Sequence, residues 1–541
     1  MARIKPQLRI IERRQPRSGL IASTIFVMAA TLGSTLLGFL REVINARFYG
    51  TQWQMDTFLA AATIPTILFG LFNGALVTAL VPVFSEYIAR DDEAEAWRLA
   101  NTIVNVLGVI LALFATIGWI AAPYYVPVIA HGFGPQQMQL AIDMTRMLMP
   151  TIVAVSLSGV ISAMLNAYHR FRSAALVGIA VNIATIACVV GFNHNLGIYA
   201  LVIGTLVGLF AQLLVQLPAF LSLRSFRFEI DIHHPGLQRL WMVLGPIIVG
   251  SAAGQIALFF DRFFASTLPP GYIAGMNYVT KLVNFPQQVF AAAIATVIFP
   301  LLASQFAAEN RAGVRRSVVL GLRLVNFIAI PAVCALMALA TPMVSALFQR
   351  GNFGPAATAL TAGLLPYSAV GLLALGANVV LTRCCFACKE TSWTVTISVF
   401  AVLLNVVLSL MWLPTLGARG LLLANSVSQS MQALLLFWLA WRLVGGLQLR
   451  KLANSSLRII GASVLMMMTL HWIGALGVHT DPSFASRAWY LVGQVAIGGM
   501  VFLGASFLFR VEELQLAVRF IIEKFERNVL APPENRSAPI A

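Results

Sequence analysis

Apolar runs long enough to cross a bilayer recur along nearly the whole chain, from Leu20 to Phe509. Crossing roughly 30 Å of hydrocarbon takes about 20 helical residues. Inside lipid every backbone N–H and C=O must be satisfied within its own segment or a closed barrel. A barrel would show alternating segments of about ten residues, whereas these runs are continuous. We count fourteen, near 20–48, 57–84, 100–130, 144–168, 173–193, 197–223, 239–266, 272–304, 316–348, 355–384, 391–413, 416–441, 457–478 and 488–509. With 59% of residues hydrophobic and 10% charged, the expected class is an all-α polytopic membrane protein.

A formal charge of +16 invites a nucleic-acid partner, but its distribution argues against one. With Arg47, Arg239, Arg316, Arg383, Arg419 and Arg458, which lie at span ends, counted with the adjoining segments, the side of the N-terminus holds 27 Lys and Arg and the opposite loops four, which leaves five in the spans: Arg41, Arg146, Arg262, Lys281 and Arg323. That asymmetry is the positive-inside pattern, which puts both termini in the cytoplasm with an even number of spans. The basicity is topological, with a secondary attraction to anionic lipid. Residues 1–19 read as an uncleaved basic leader, because the first apolar run is too long for a cleaved signal peptide.

The chain also repeats itself. "LVPVFSEYIARDDEAEAWR" around Pro82 is echoed by "IFPLLASQFAAENRAGVRR" around Pro300, "HGFGPQQMQLAIDMTRMLMP" by "RGNFGPAATALTAGLLP", and "NHNLGIYALVIGTLVG" by "LPTLGARGLLLANSVS", at offsets between 216 and 220. Each copy holds six spans, so both insert the same way, related by a pseudo-two-fold along the membrane normal. The expected organisation is a leader (1–19), an N-terminal six-helix lobe (20–223), a cytoplasmic linker (224–238), a C-terminal six-helix lobe (239–441), a second linker (442–456), two extra spans (457–509), and an amphipathic segment with a cytoplasmic tail (510–541). Two such lobes are the usual basis of rocking-type alternating access.

Charges inside spans mark the candidate site. At about 100° per residue, Ser34, Thr35, Gly38, Arg41, Glu42 and Asn45 share one stripe of the first span, and Leu36, Leu37, Leu40, Val43 and Ile44 take the rest. Ionisable residues in hydrocarbon are costly and normally line a bundle interior or a wet cavity; snorkelling to the outer interface is the alternative. In the second copy "ALFFDRFF" supplies Asp261 and Arg262, and the next span supplies Lys281. Asp56 opens the second span, placed to pair with Arg41 or Lys281 or to cap its own helix. Arg146 and Arg323 read as helix-end snorkels. Converging cations suit an anionic headgroup such as a phosphate or pyrophosphate.

Enzymatic motifs are missing. No lysine follows a glycine, so there is no Walker A loop, and no His-Glu dipeptide supplies a zinc-protease helix. His233-His234 reads as a solvated turn. "CCFAC" lacks the further ligands of a metal site, so Cys384, Cys385 and Cys388 are expected as reduced thiols. No cofactor and no catalytic residue is expected.

"GSTLLGFLREVINARFYG", "MDTFLAAATIP", "NYVTKLVNFPQQVFAAAIATVIFPLLA" and "LFQRGNFGPAATALTAGLLPYSAVGL" resemble the MurJ (MviN) family of lipid II flippases, within the wider group of multidrug and oligosaccharidyl-lipid exporters. The resemblance covers essentially the whole chain. It implies a cavity-lining arginine at Arg41, an acidic neighbour at Glu42 where aspartate is usual, and a match for the family's second-helix aspartate at Asp56. The chain departs at Phe69 and Gly70, where an arginine is usual, and at Thr280-Lys281, where Asp-Arg is usual. Lys281 keeps the charge without the bidentate fork.

The expected function is a flippase carrying a polyprenyl-pyrophosphate-linked glycan, lipid II foremost, from the inner to the outer leaflet of a bacterial cytoplasmic membrane. The expected site residues are Arg41, Glu42, Asp56, Lys281, Ser34, Asp261 and Arg262. The alternatives are a paralogue moving another lipid-linked oligosaccharide, a cation-coupled drug exporter, and a non-transporting envelope scaffold.

Overall fold

Segments without water close their hydrogen bonds locally, and the chain answers that demand with helices joined by short connections. A computed structural model describes residues 17–90, 92–223, 226–231, 233–475 and 483–515. The leader up to residue 16 and the amphipathic segment and tail from 516 onward lie outside the described residues. So do residues 224, 225 and 232 of the first linker.

In chain order the helices are α1 (Arg17–Tyr49), α2 (Trp53–Ala61), α3 (Thr63–Ala89), α4 (Glu93–Ile129), α5 (Pro135–Leu148), α6 (Thr151–Ala167), α7 (Phe171–Ala175), α8 (Val177–Leu196), α9 (Tyr199–Leu221) and α10 (Pro235–Ala265). There follow α11 (Tyr272–Ala307), α12 (Arg311–Ala338), α13 (Ala340–Phe348), α14 (Pro355–Ala369), α15 (Gly371–Ala387), α16 (Ser392–Leu416), α17 (Ala418–Val444), α18 (Leu449–Ala475) and α19 (Phe484–Leu508). Among the described residues there is no strand. Eleven helical stretches are long and apolar enough to cross a membrane, and α14 with α15, bent by 43°, makes a twelfth if counted as one span. Helices α10 and α11, of 31 and 36 residues, reach spanning length by rise alone, which is consistent with fourteen.

The described residues of Met1–Gly275 with Arg350–Ala357 form one compact unit, and those of Met276–Gln349 with Thr358–Ala541 form another. In the first, α3 packs on α6 and α10, α9 on α8, and α1 on α8. In the second, α17 packs on α15 and α16, α12 on α15 and α18, and α18 on α19. Lipid tails are as apolar as leucine, so close backbone approach and hydrogen bonds, rather than apolar burial, hold such helices together. Gly208 shows the device. A Cβ there would meet Thr185 Oγ1 and Val181 O at 2.8 Å, and Thr185 Oγ1 donates across the same contact to Gly204 O at 3.1 Å.

Local backbone geometry repeats at the sequence offset. Gly197 (φ 52°, ψ −131°) separates α8 from α9, and Gly417 (φ 57°, ψ −133°) separates α16 from α17, 220 residues later. His169 (φ 58°) and Lys389 (φ 59°), also 220 apart, both sit in the left-handed region before the next helix. Non-glycine residues there are uncommon, so two at one offset is a strong sign of shared local structure.

Candidate functional site

The polar stripe of α1 turns into the protein. Met28, Leu32, Leu36 and Leu40 are exposed on the opposite face, whereas Glu42 and Asn45 are buried. Arg41 Nη2 donates to Glu42 Oε1 at 3.0 Å, with 27% of the arginine side chain still exposed. Ser34 serves packing: its hydroxyl leaves no room for a Cβ on Gly178, and its carbonyl accepts from Asn182 Nδ2 at 3.1 Å. Asn182 also donates to Gly178 O at 2.9 Å, so this amide ties α8 to α1.

Asp56 is only 2% exposed. It lies in the first turn of α2, yet its carboxylate serves another helix. Oδ1 accepts from Ala274 N at 2.7 Å and Oδ2 from Gly271 N at 2.5 Å, the opening turn of α11. A carboxylate there satisfies N–H groups that lack an intrahelical partner and complements the positive end of the helix dipole. Of the roles expected for Asp56, pairing or capping its own helix, the structure has neither as its hydrogen bonding; it caps α11. Arg262, in the last turn of α10, lies within electrostatic reach of both Asp56 and Asp261.

The structure thus brings Asp56, Asp261 and Arg262 together, and pairs Arg41 with Glu42. Arg41 and Arg262 each keep company with carboxylates, so this cluster is closer to neutral than the expected convergence of cations. Lys281 is half-buried on α11 and belongs to the second unit.

The helix ends around this cluster are capped by the two echoed glycine-rich loops. Asn352 N donates to Arg47 O at 2.9 Å and Asn352 Nδ2 to Phe48 O at 2.5 Å, closing the C-terminal end of α1. Gly351 takes φ 57° with its backbone against Arg47 O, where no Cβ would fit. In the other loop, Gly132 N donates to Ser266 Oγ at 3.4 Å and the His131 ring stacks on Phe263 with centroids 4.4 Å apart, at the end of α10. Tyr49 Oη donates to Gly197 O at 3.3 Å.

Sequence reasoning used these loops only as repeat markers and missed Asn182 and Asn352. An Asn after a glycine where a span has just ended was the available signal for a C-terminal cap. Two other expectations are corrected. His234 is 1% exposed: its Nδ1 accepts from Gly236 N at 3.0 Å and its Nε2 lies 2.9 Å from Glu95 Oε2. It caps α10 and is no solvated turn. Arg323 does not snorkel to water but pairs with Glu512 at 2.7 Å and Glu513 at 2.5 Å. Arg146 donates to Trp119 O at 3.2 Å and lies over that indole at 5.1 Å. The five cysteines are free, and among the described residues no group of three or more His, Cys, Asp or Glu is placed to hold a metal.

Residues 45–486 match the family described as Lipid II flippase MurJ. The chain belongs to that family. Its relatives include a probable lipid II flippase MurJ from Vibrio cholerae serotype O1, 30% identical over 516 residues, covering 92% of this chain and 98% of the relative. The lipid II flippase MurJ of Burkholderia cenocepacia is 28% identical over 473 residues, covering 84% and 90%. Among solved structures, a lipid II flippase MurJ in an inward closed conformation superposes with a TM-score of 0.77 at 21% identity, covering 90% of this chain and 99% of that one. An inward-facing MATE family transporter of the MOP superfamily superposes at 0.65 and 13% identity, covering 78% and 98%. These two likenesses establish the shared fold. Asp56, Asp261, Arg262 and Lys281 fall within the span matched to the MurJ family, and Ser34, Arg41 and Glu42 lie just before it.

Proposed function

We propose that this chain flips lipid II, a polyprenyl-pyrophosphate-linked glycan, from the inner to the outer leaflet of a bacterial cytoplasmic membrane by alternating access. Membership of the MurJ family across residues 45–486 carries the reading. MATE family transporters of related fold have been solved inward-facing and outward-facing, which supports alternation. The six-span repeats at 20–223 and 239–441 are the moving parts in this reading. Both termini face the cytoplasm, as the Lys and Arg distribution supports.

In this mechanism the substrate is moved without a covalent step. Arg41, with 27% of its side chain exposed, is held by Glu42 until a pyrophosphate competes for its planar fork. Lys281 adds charge from α11. In this reading the caps made by Asp56 and Asn352 lie at the extracytoplasmic ends of α11 and α1. A membrane potential supplies about 2.3 kcal/mol per charge per 100 mV, enough to bias such a cycle without a nucleotide site.

Complementation tests the reading in a cell. A bacterium depleted of its own lipid II flippase should regain growth and shape when this chain is expressed. Continued lysis, with the protein detected in the membrane at the level of a complementing control, would contradict it.

A further inference from the structure

Residues 255 and 262 of α10 are seven apart, close to two helical turns, so Gln255 shares a face with Arg262 about 10 Å along the axis. Arg262 marks the end of that face near Asp56. At the other end the Gln255 carboxamide lies over Gly70 of α3. A Cβ at position 70 would stand 2.6 Å from Gln255 Cδ and 2.7 Å from Oε1, which is overlap. Only a residue without a side chain lets the amide rest there.

The surroundings leave this amide usable. Gln255 and Gly70 are half-buried, and Thr66, one turn before Gly70 on α3, is exposed. Gly254, next to Gln255, has open space where its Cβ would be. The stretch "IPTILFGLFNG" around Gly70 carries no charge. Among the described residues none hydrogen-bonds to the Gln255 amide. A glutamine amide offers two donors and an acceptor, with no net charge. It is suited to hydroxyl and acetamido groups and poorly suited to holding a phosphate on its own.

We propose that Gln255, seated on Gly70, is a specificity-determining residue that reads the uncharged sugar portion of the lipid-linked substrate. The inference rests on the flippase reading and adds to it a division of labour: cations hold the pyrophosphate, and this amide recognises the glycan. A site that hydrogen-bonds a substrate group discriminates sharply against an analogue lacking it, because the site's own polar atoms are then left unpaired.

Gly70→Ala provides a test that keeps the fold. The atom its Cβ displaces is the far end of a flexible side chain, so the amide swings away while the helices stay in place. Purified full-length protein in liposomes would be given two substrates, a polyprenyl-pyrophosphate-linked glycan and the glycan-free polyprenyl pyrophosphate, with outer-leaflet exposure of each followed over time. The wild type should prefer the glycan-bearing lipid. Gln255→Ala and Gly70→Ala should each lower that preference about five- to tenfold by slowing the glycan-bearing lipid alone, and the double variant should be no worse than either single one. An unchanged preference in both single variants, or equal slowing of both lipids, would overturn the role of Gln255 while leaving the flippase reading standing. A wild type that exposes neither lipid would overturn both.

Discussion

Asp56 caps a helix that begins 215 residues further along the chain: its Oδ2 accepts the backbone N–H of Gly271, and its Oδ1 that of Ala274, 218 residues away, at 2.7 Å. With the carboxylate 2% exposed, no water stands ready to replace it. Asp56→Ala should destabilise the protein by about 1–2 kcal/mol, the range of a lost N-cap. Asp56→Asn keeps one acceptor oxygen and should fall between. Thermal unfolding of the purified variants in detergent checks the order; an alanine variant as stable as wild type would remove the cap from the account.

Asn352 gives a prediction of opposite polarity. Its Nδ2 donates to Phe48 O at the carbonyl end of α1, so Asn352→Ala loses a donor, and Asn352→Asp sets a carboxylate against that carbonyl and the negative end of the dipole. The aspartate variant should unfold at a lower temperature than the alanine variant. Equal melting temperatures would show that the amide contributes nothing there.

The repeated turns predict matched effects. Gly197 and Gly417 share a positive φ with ψ near −130°, a region almost closed to residues with a Cβ. Gly197→Ala and Gly417→Ala should each cost about 1–3 kcal/mol, with melting shifts of similar size. A large shift in one and none in the other would separate the two turns despite their backbone likeness.

In the second unit, Arg323 holds two carboxylates that follow α19. Glu513 is 1% exposed and also accepts from Ser455 Oγ, so Arg323→Ala strands a buried charge and should cost about 3–5 kcal/mol. The exposed partner Glu512 is held below the ordinary glutamate range, first by its hydrogen bond from Arg323. A lowered folded value means that its contribution is present above the unfolded value and is lost as pH falls through the folded one. Wild-type melting should therefore drop as pH is taken below the usual carboxylate range, and Glu512→Gln should flatten part of that drop. Identical pH profiles would exclude Glu512 from the pair.

How much of this was legible in the residues depends on the range of each interaction. The spans and the α1 stripe are written locally, as long apolar runs and a helical period: the helices of spanning length are consistent with fourteen, and Glu42 and Asn45 of the stripe are buried. The role of Asp56 is not local: an aspartate at the start of α2 looks like a cap for α2 until the fold brings Gly271 beside it. Ser34 was flagged as a site residue because polarity in a span marks either a cavity or a close helix contact, and only the position of Gly178 decides between them. His234 was read as solvated because a linker looks polar, whereas the Glu95 and Gly236 contacts bury it. Gln255 left no trace, since a single amide amid apolar residues matches no motif and its counterpart is a glycine on another helix.

The flipping reaction itself is the most direct measurement. Purified protein in liposomes carrying labelled lipid II on the inside, with a potential applied, should expose the lipid on the outer leaflet, and Arg41→Ala at matched protein levels should not. Absence of exposure by wild type, or full exposure by Arg41→Ala, would contradict the account: the first would remove the flippase reading, and the second would remove the arginine from the site.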